Sequence, residues 1–223
     1  MVKMFFLLYS ILMFEDFEII DISLALNNKT IIYPNNPQIK IEKVENAGSS
    51  SVVSKIEMGS HSATHIDAPL HVIPDGLSID ELSLSKFIGK CRVLDFTHCI
   101  EKISKEDLLL KEIKSNERIL FKTKNSIKGF EKFYDDFIYL APDGAKYLAS
   151  LPVTLVGIDS LSIKQRGSKD SSAHTEFLGK NIPIIEGLDL SMVQEGEYIL
   201  SAFPLKITGI DAAPSRVVLL KKK

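Results

Sequence analysis

Three of the five histidines in the chain, His61, His65 and His71, fall within eleven positions. Asp67 lies between them, and even numbers of residues separate all four. Side chains two residues apart on an extended strand share a face, so a strand would aim all four into one space. A helix would turn Asp67 far from the histidines and would not accept Pro69 in its interior. Imidazoles with a carboxylate and no nearby thiolate suit zinc, manganese or iron(II). The spacing favours a metal site over a cluster of packed or hydrogen-bonded histidines.

The composition is that of an ordinary globular chain. It has 223 residues, of which 45% are hydrophobic and 25% charged, with a net charge of −2. This length suffices for one domain with a sizeable core. The near-neutral charge gives no sign of a nucleic-acid partner. Cys91 and Cys99 are too few for a disulfide framework, which favours reduced thiols in a cytoplasmic protein.

The N-terminus carries an apolar segment over residues 4–14 that resembles the core of a signal peptide. It is too short to span a bilayer as a helix, and acidic residues follow where a cleavage site needs small ones. Three interpretations stay open: a start placed upstream of the natural one, a segment buried between subunits, or a weak membrane anchor. We divide the chain into an extension over residues 1–15 and a single domain over residues 16–223, and expect no stable membrane insertion.

Strand patterns and helix patterns are intermixed along the chain. The sequence predicts strands over residues 17–24, 40–44, 51–58, 91–96, 118–122, 153–158, 181–187, 197–204, 207–211 and 216–220. A turn is expected over residues 46–48, and helices are expected to begin at Ser78, Ser104 and Pro142. The continuous apolar run over 153–158 is typical of a strand covered on both faces. This mixture predicts a mixed α/β domain.

Two later residues are further candidates for the site. His174 lies in a polar stretch that the sequence predicts to be a loop. Glu186 ends an apolar strand, where a buried carboxylate is costly unless it is paired or ligated. From the residues alone, a solvated side chain is the more common interpretation of each, so both alternatives stay open.

The chain from Ile19 to Leu219 resembles a cyclase family of metal-dependent hydrolases that includes bacterial kynurenine formamidases and isatin hydrolases. The family's pattern His-x-x-x-His-x-Asp-x-x-x-His is met at positions 61, 65, 67 and 71. Further matches, in the same order along the chain, are Gly157-Ile158-Asp159, His174 twelve residues before Glu186, Ile185-Glu186-Gly187-Leu188, Pro204-Leu205-Lys206 and the segment from Asp211 to Val218.

The resemblance implies a swivelling β/β/α fold and a homo-oligomer, either a dimer or a tetramer. It implies divalent metal ligands at His61, His65 and Asp67 for a first ion, and at Asp67, His174 and Glu186 for a second. Some members hold a single tightly bound ion, so the number of ions, one or two, stays open. Zinc is the first choice, with manganese and iron as alternatives.

The chemistry implied is hydrolysis of an amide, formamide or lactam. A divalent metal lowers the pKa of bound water to about 7 and polarises a carbonyl group. His71 matches the histidine that passes a proton to the leaving nitrogen. Two alternatives stay open: a cyclase or dehydratase that uses the metal as a Lewis acid, and a non-catalytic metal-binding protein. His71 argues against the second, because a purely structural site needs no spare proton carrier.

Departures from the family leave the substrate open. Kynurenine formamidases usually place a tryptophan near the first loop, and this chain contains none. Tyr33, beside Pro34, is the nearest equivalent and the candidate substrate-binding residue, although a surface tyrosine is an equal alternative. The family often has glycine where Ala63 stands and an acidic residue near Lys164. The expected metal ligands are unaffected.

Overall fold

Thirteen strands and four α-helices occupy residues 14–44 and 50–223, which are the residues that the computed structural model describes. In chain order the strands are β1 (Phe17–Asp21), β2 (Lys40–Val44), β3 (Val53–Glu57), β4 (His65–Asp67), β5 (Ile88–Asp95), β6 (Lys102–Ile103), β7 (Arg118–Lys122), β8 (Tyr139–Leu140), β9 (Leu155–Ile158), β10 (Ile184–Glu186), β11 (Gly196–Ser201), β12 (Ala212–Pro214) and β13 (Val218–Lys222).

The α-helices are α1 (Lys105–Leu109), α2 (Lys124–Lys128), α3 (Pro142–Ser150) and α4 (Ser172–Leu178). Short 3-10 helices cover Phe14–Asp16, Pro69–His71, Ile79–Glu81 and Leu84–Lys86. This mixture confirms the predicted mixed α/β class. The apolar segment over residues 4–13 and the turn expected over 46–48 lie outside the described residues, so the predicted extension and domain boundary stay predictions.

Nine of the strands form one mixed sheet, in the order β1-β13-β11-β5-β7-β9-β10-β4-β12. The centre, from β5 through β7 and β9 to β10, is parallel. The outer pairings are antiparallel. All four residues of β9 are buried, which explains the unbroken apolar run in its sequence.

Alternate residues of the central strands feed two hydrophobic cores, one on each face of the sheet. On β7, Ile119 and Phe121 join the core that lies under α3 and α4, whereas Leu120 joins the other. On β10, Ile184 and Ile185 divide in the same way. The alternation of side chains along each strand therefore decides which of the two cores a residue packs into.

The second core draws residues from both ends of the sheet. Ile66 of β4 and Ala213 of β12 pack in the same cluster as Leu200 of β11 and Leu219 of β13. The sheet curls around this cluster. The short strand β4 pairs with β10 on one side and with β12 on the other, and the polar residues His65 and Asp67 lie on the face opposite to Ile66.

The sequence predicts the residues at which helices begin more accurately than it predicts how long the helices are. α3 begins at Pro142, which occupies a first-turn position where its missing N–H costs nothing. Ser104 caps α1 through the backbone N–H of Asp107. The helix start predicted at Ser78 is present with its capping box, but the helix is a single 3-10 turn, Ile79–Glu81. The next residue, Leu82, returns to extended backbone and is buried in the second core.

The strand predicted over residues 207–211 is wrong. Gly209, with φ of +72°, turns the chain and donates its N–H to Asp80. Pairing resumes only at Ala212, where β12 begins beside β4. Within the described ranges, no helix is both long and apolar enough to cross a membrane.

Candidate metal centre

Strand β4 places two candidate ligands on one face. His65 and Asp67 are two residues apart, and Ile66 between them faces the second core. β10 lies antiparallel beside β4, with Glu186 opposite His65. This register brings Glu186 Oε2 to 3.5 Å from His65 Nε2.

His61 and His71 reach the same place from irregular backbone. The expectation that one strand carries all four residues is wrong, because β4 contains only His65 and Asp67. Ala63 has a φ of +52° and turns the chain before β4, and His71 ends a 3-10 helix after it. The side chains nevertheless converge: His61 Nδ1 lies 2.9 Å from Asp67 Oδ1, and the rings of His61 and His71 are 4.3 Å apart.

His174 joins the cluster from helix α4, and the predicted loop is wrong. Three residues of this helix, Ala173, Phe177 and Leu178, pack into the core under the helices, so the helix is amphipathic. The serines that precede these residues make the segment look like a polar loop in the sequence. His174 Nε2 lies 3.2 Å from Glu186 Oε1 and 3.7 Å from Asp67 Oδ2.

The centre of the cluster contains buried polar atoms without partners. His65 Nδ1 lies 2.9 Å from the carbonyl oxygen of Ala63, which turns Nε2 towards the carboxylates. That Nε2 and both oxygens of Asp67 are buried and have no hydrogen-bond partner, although His61 Nδ1 lies 2.9 Å from Asp67 Oδ1 as an ion-pair contact. Such groups are costly to bury unless they are ligated. The nitrogen and oxygen donors therefore fit a divalent metal.

Ionic contacts within the cluster keep His61 and His65 protonated and Asp67 ionised. Burial lowers the pKa of His61, but contacts with Asp211 and Asp67 outweigh it and raise the pKa to about 10. Burial likewise lowers the pKa of His65, but Asp67 and Glu186 raise it to about 9. Burial raises the pKa of Asp67, but His61 and His65 hold it well below its usual value. A metal ion must therefore displace protons from these histidines.

His71 differs from the other two histidines of its segment. Burial is the largest cause and lowers its pKa; the charge of Asp67 raises the pKa, and the charges of His61 and His174 lower it, so that the pKa lies below its usual value. Its imidazole is therefore neutral at pH 7 and can accept a proton.

Asp211 belongs to the cluster, although it was not among the predicted site residues. Its Oδ2 lies 2.7 Å from His61 Nε2 and 3.5 Å from His71 Nδ1, and Ser60 donates a hydrogen bond to Oδ1. The contact with His61 holds the pKa of Asp211 well below its usual value. Only the family resemblance of the segment from Asp211 to Val218 pointed to this residue, and it assigned no role.

A cavity of about 260 Å³ opens above the cluster. His61, His71, His174 and Glu186 line its inner part. Tyr33 also lines it and packs edge-on against Phe133, with ring centroids 5.3 Å apart. The structure thus brings every predicted site residue to one cavity or to the buried cluster beneath it.

Comparison with known proteins agrees with this architecture. Residues 20–165 match the sequence profile of the family described as Putative cyclase. A kynurenine formamidase of Salinibacter ruber is 36% identical over 204 residues, which cover 90% of this chain and 96% of that protein. A solved structure described as a potential metal-dependent hydrolase with cyclase activity is 35% identical, with a TM-score of 0.84 over 93% of this chain and 99% of the other.

An isatin hydrolase bound to thioisatinate shares the fold, with a TM-score of 0.82 at 22% identity over 94% of each chain. These relatives identify the chain as a metal-dependent hydrolase that acts on amide bonds. The chain belongs to the Putative cyclase family, which confirms the resemblance seen in its sequence.

Proposed function

We propose that the protein hydrolyses the carbon–nitrogen bond of a small amide, formamide or lactam, in the manner of a kynurenine formamidase. The observation that carries this proposal is the pair of unpartnered, buried oxygens of Asp67 beneath an open cavity. A neutral His71 beside them supplies a proton acceptor. The kinship with a kynurenine formamidase of Salinibacter ruber supports the choice of an amide.

We propose that His61, His65 and Asp67 hold a first divalent ion, and that Asp67, His174 and Glu186 hold a second. The donor atoms of His65, Asp67 and Glu186 lie within 4.8 Å of one another, which supports a shared centre. Asp67 serves both groups because its two oxygens face different histidines. Zinc is our first choice, and manganese or iron would accept the same donors.

The metal, when bound, acts as a Lewis acid and lowers the pKa of water to about 7. His71 accepts a proton as water attacks the carbonyl carbon, and donates it to the leaving nitrogen when the carbon–nitrogen bond breaks. Asp211 lies 3.5 Å from His71 Nδ1, which leaves Nε2 available for this transfer. Tyr33 provides an aromatic wall against which an aryl ring can stack.

We further propose a cytoplasmic homo-oligomer, either a dimer or a tetramer. The sheet formed by β2 and β3 stands apart from the main sheet and exposes Ile56, while Val52 beside it is 75% exposed. Apolar side chains on an isolated two-stranded sheet favour burial against a second copy. Cys91 and Cys99 are both free and buried, which supports a reducing compartment.

Oxygen-18 labelling separates hydrolysis from the alternative cyclase or dehydratase chemistry. The metal-loaded protein is incubated with N-formylkynurenine in H₂¹⁸O, and the released formate is analysed by mass spectrometry. Hydrolysis places one solvent oxygen in formate during turnover. Product that forms without solvent oxygen would contradict the proposal and favour Lewis-acid chemistry without water addition.

A further inference from the structure

Lys164 is the only lysine or arginine among the described residues that line the cavity above the cluster. It is half-buried, and Tyr33, Leu161 and Ser162 line the same cavity. The other ionisable groups of the cavity include three imidazoles and the carboxylate of Glu186. The ammonium group of Lys164 therefore offers a binding partner to an anionic group of a ligand.

The backbone beside Lys164 is tied directly to the candidate metal centre. The N–H of Ile163, the preceding residue, donates to Glu186 Oε1 at 2.7 Å. The N–H of Lys164 donates to Ser162 Oγ at 3.3 Å. At the start of this segment, buried Asp159 accepts hydrogen bonds from the backbone and the hydroxyl of Thr123. The root of the Lys164 side chain is therefore held at a fixed place relative to the cluster.

Lys164 forms no ion pair with a carboxylate of the described residues. Its charge helps to lower the pKa of exposed Asp170, but less than the hydrogen bonds from Ser172 do. Two residues further along from Lys164, Arg166 pairs with Asp135 at 2.8 Å and stacks on Phe133 at 4.8 Å. An ammonium group without a close ion pair beside a cavity gains from an anion that enters the cavity.

We infer that Lys164 binds a carboxylate of the substrate and so determines which amides or formamides the protein prefers. This inference rests on the proposed function. A carboxylate held at Lys164 leaves the amide carbonyl as the group that approaches His71. Tyr33 lines the same cavity and offers a ring against which an aryl group can stack.

Two substrates that differ only in charge test this inference. The first is 4-(2-formamidophenyl)-4-oxobutanoate, and the second is its neutral primary amide. We expect the metal-loaded protein to prefer the carboxylate about 10- to 100-fold in kcat/KM, the range of a hydrogen bond to a charged group. Lys164→Met should remove this preference through KM, and Lys164→Glu should reverse it.

Lys169→Met is the matched control, because Lys169 is exposed, follows in the same segment and does not line the cavity. It should retain the full preference for the carboxylate. The inference would be overturned if the ratio of kcat/KM for the two substrates were the same in the unmodified protein, in Lys164→Met and in Lys164→Glu. This holds even if hydrolysis itself is confirmed.

A binding measurement covers the case in which neither substrate is hydrolysed, which would refute the proposed function. Calorimetry then compares 4-(2-aminophenyl)-4-oxobutanoate with its primary amide on the metal-loaded protein. A preference for the carboxylate that disappears in Lys164→Met supports anion recognition. Equal affinities in both proteins overturn it.

Discussion

Asp67 is the residue on which the candidate centre depends. Its side chain is fully buried, and imidazoles approach it from three segments: the turn before β4, β4 itself and helix α4. A buried carboxylate with both oxygens unpartnered would weaken the fold unless a cation joined it. Without a metal ion, the protonated rings of His61 and His65 balance this carboxylate.

Separate substitutions distinguish the proton carrier from the ligands. His71→Ala should keep its metal and lose turnover by about 10²- to 10⁴-fold, the range of general acid–base catalysis. Asp67→Ala is the contrasting variant and should lose metal and activity together. Metal content by mass spectrometry and kcat on the same samples give both readings. Loss of metal from His71→Ala would instead make His71 a ligand.

Metal affinity should rise with pH. In the metal-free protein the pKa values of His61 and His65 are raised to about 10 and about 9, so both rings are protonated at neutral pH. Binding must release these protons, which tightens the affinity by about tenfold per pH unit for each proton displaced. Competition with a chromophoric chelator between about pH 6.5 and pH 8.5 measures this slope. An affinity independent of pH would contradict these raised pKa values.

Elements with strong local patterns could be predicted from the sequence. The strand over Arg118–Lys122, the entry of α3 at Pro142 and the buried strand before Asp159 all follow from local apolar runs and caps. The metal cluster was predicted through even spacing, but only β4 is extended. The left-handed turn at Ala63 that carries His61 into place has no clear local pattern.

The other features of the site depend on contacts between residues that are far apart in the sequence, and these could not be predicted. His174 follows polar residues, and only its packing against the core shows that it lies on a helix. Asp211 is separated from His61 by 150 residues, and no local pattern connects the two. Their contact arises because β12 pairs with β4 and carries the preceding loop over the cluster. Such contacts depend on topology and not on local propensity.

Gly187 shows how closely the elements of the site are packed. It has a φ of +71°, and a Cβ added there would overlap the carbonyl oxygen of Ala63. Gly187→Ala should therefore lower the free energy of unfolding by about 1–3 kcal/mol more than backbone strain alone. Gly167→Ala is the matched control, because its φ is +72° and nothing lies within 4 Å of its added Cβ.

Denaturant titrations of the two metal-free variants compare these effects directly. Gly187→Ala should also bind metal more weakly, since its neighbour Glu186 lies in the cluster. Equal losses of stability in the two variants would show that Ala63 can move aside at no cost.

At the scale of the whole molecule, the curled sheet shields the cluster from one side and the cavity opens on the other. The separate sheet of β2 and β3 is covered by little of the described chain, since every residue of β3 is exposed. The proposed oligomer would bury this surface against a second copy.

Ile56→Lys should therefore shift the oligomer towards monomer, because Ile56 is 59% exposed on β3. Ile100→Lys is the control, since Ile100 is 85% exposed but lies outside this hairpin. Sedimentation velocity on the unmodified protein and both variants measures the effect. Identical sedimentation of all three proteins would show that this surface is not part of a subunit interface.

Turnover of N-formylkynurenine by protein loaded separately with zinc and with manganese decides whether the protein is a metal-dependent formamide hydrolase. We expect a kcat/KM of about 10⁴ M⁻¹s⁻¹ or more with at least one metal, in the range of true substrates. Chelation should abolish this activity, and adding the metal back should restore it. Equal turnover by the metal-free protein, or none with metal bound at the cluster, would contradict this expectation.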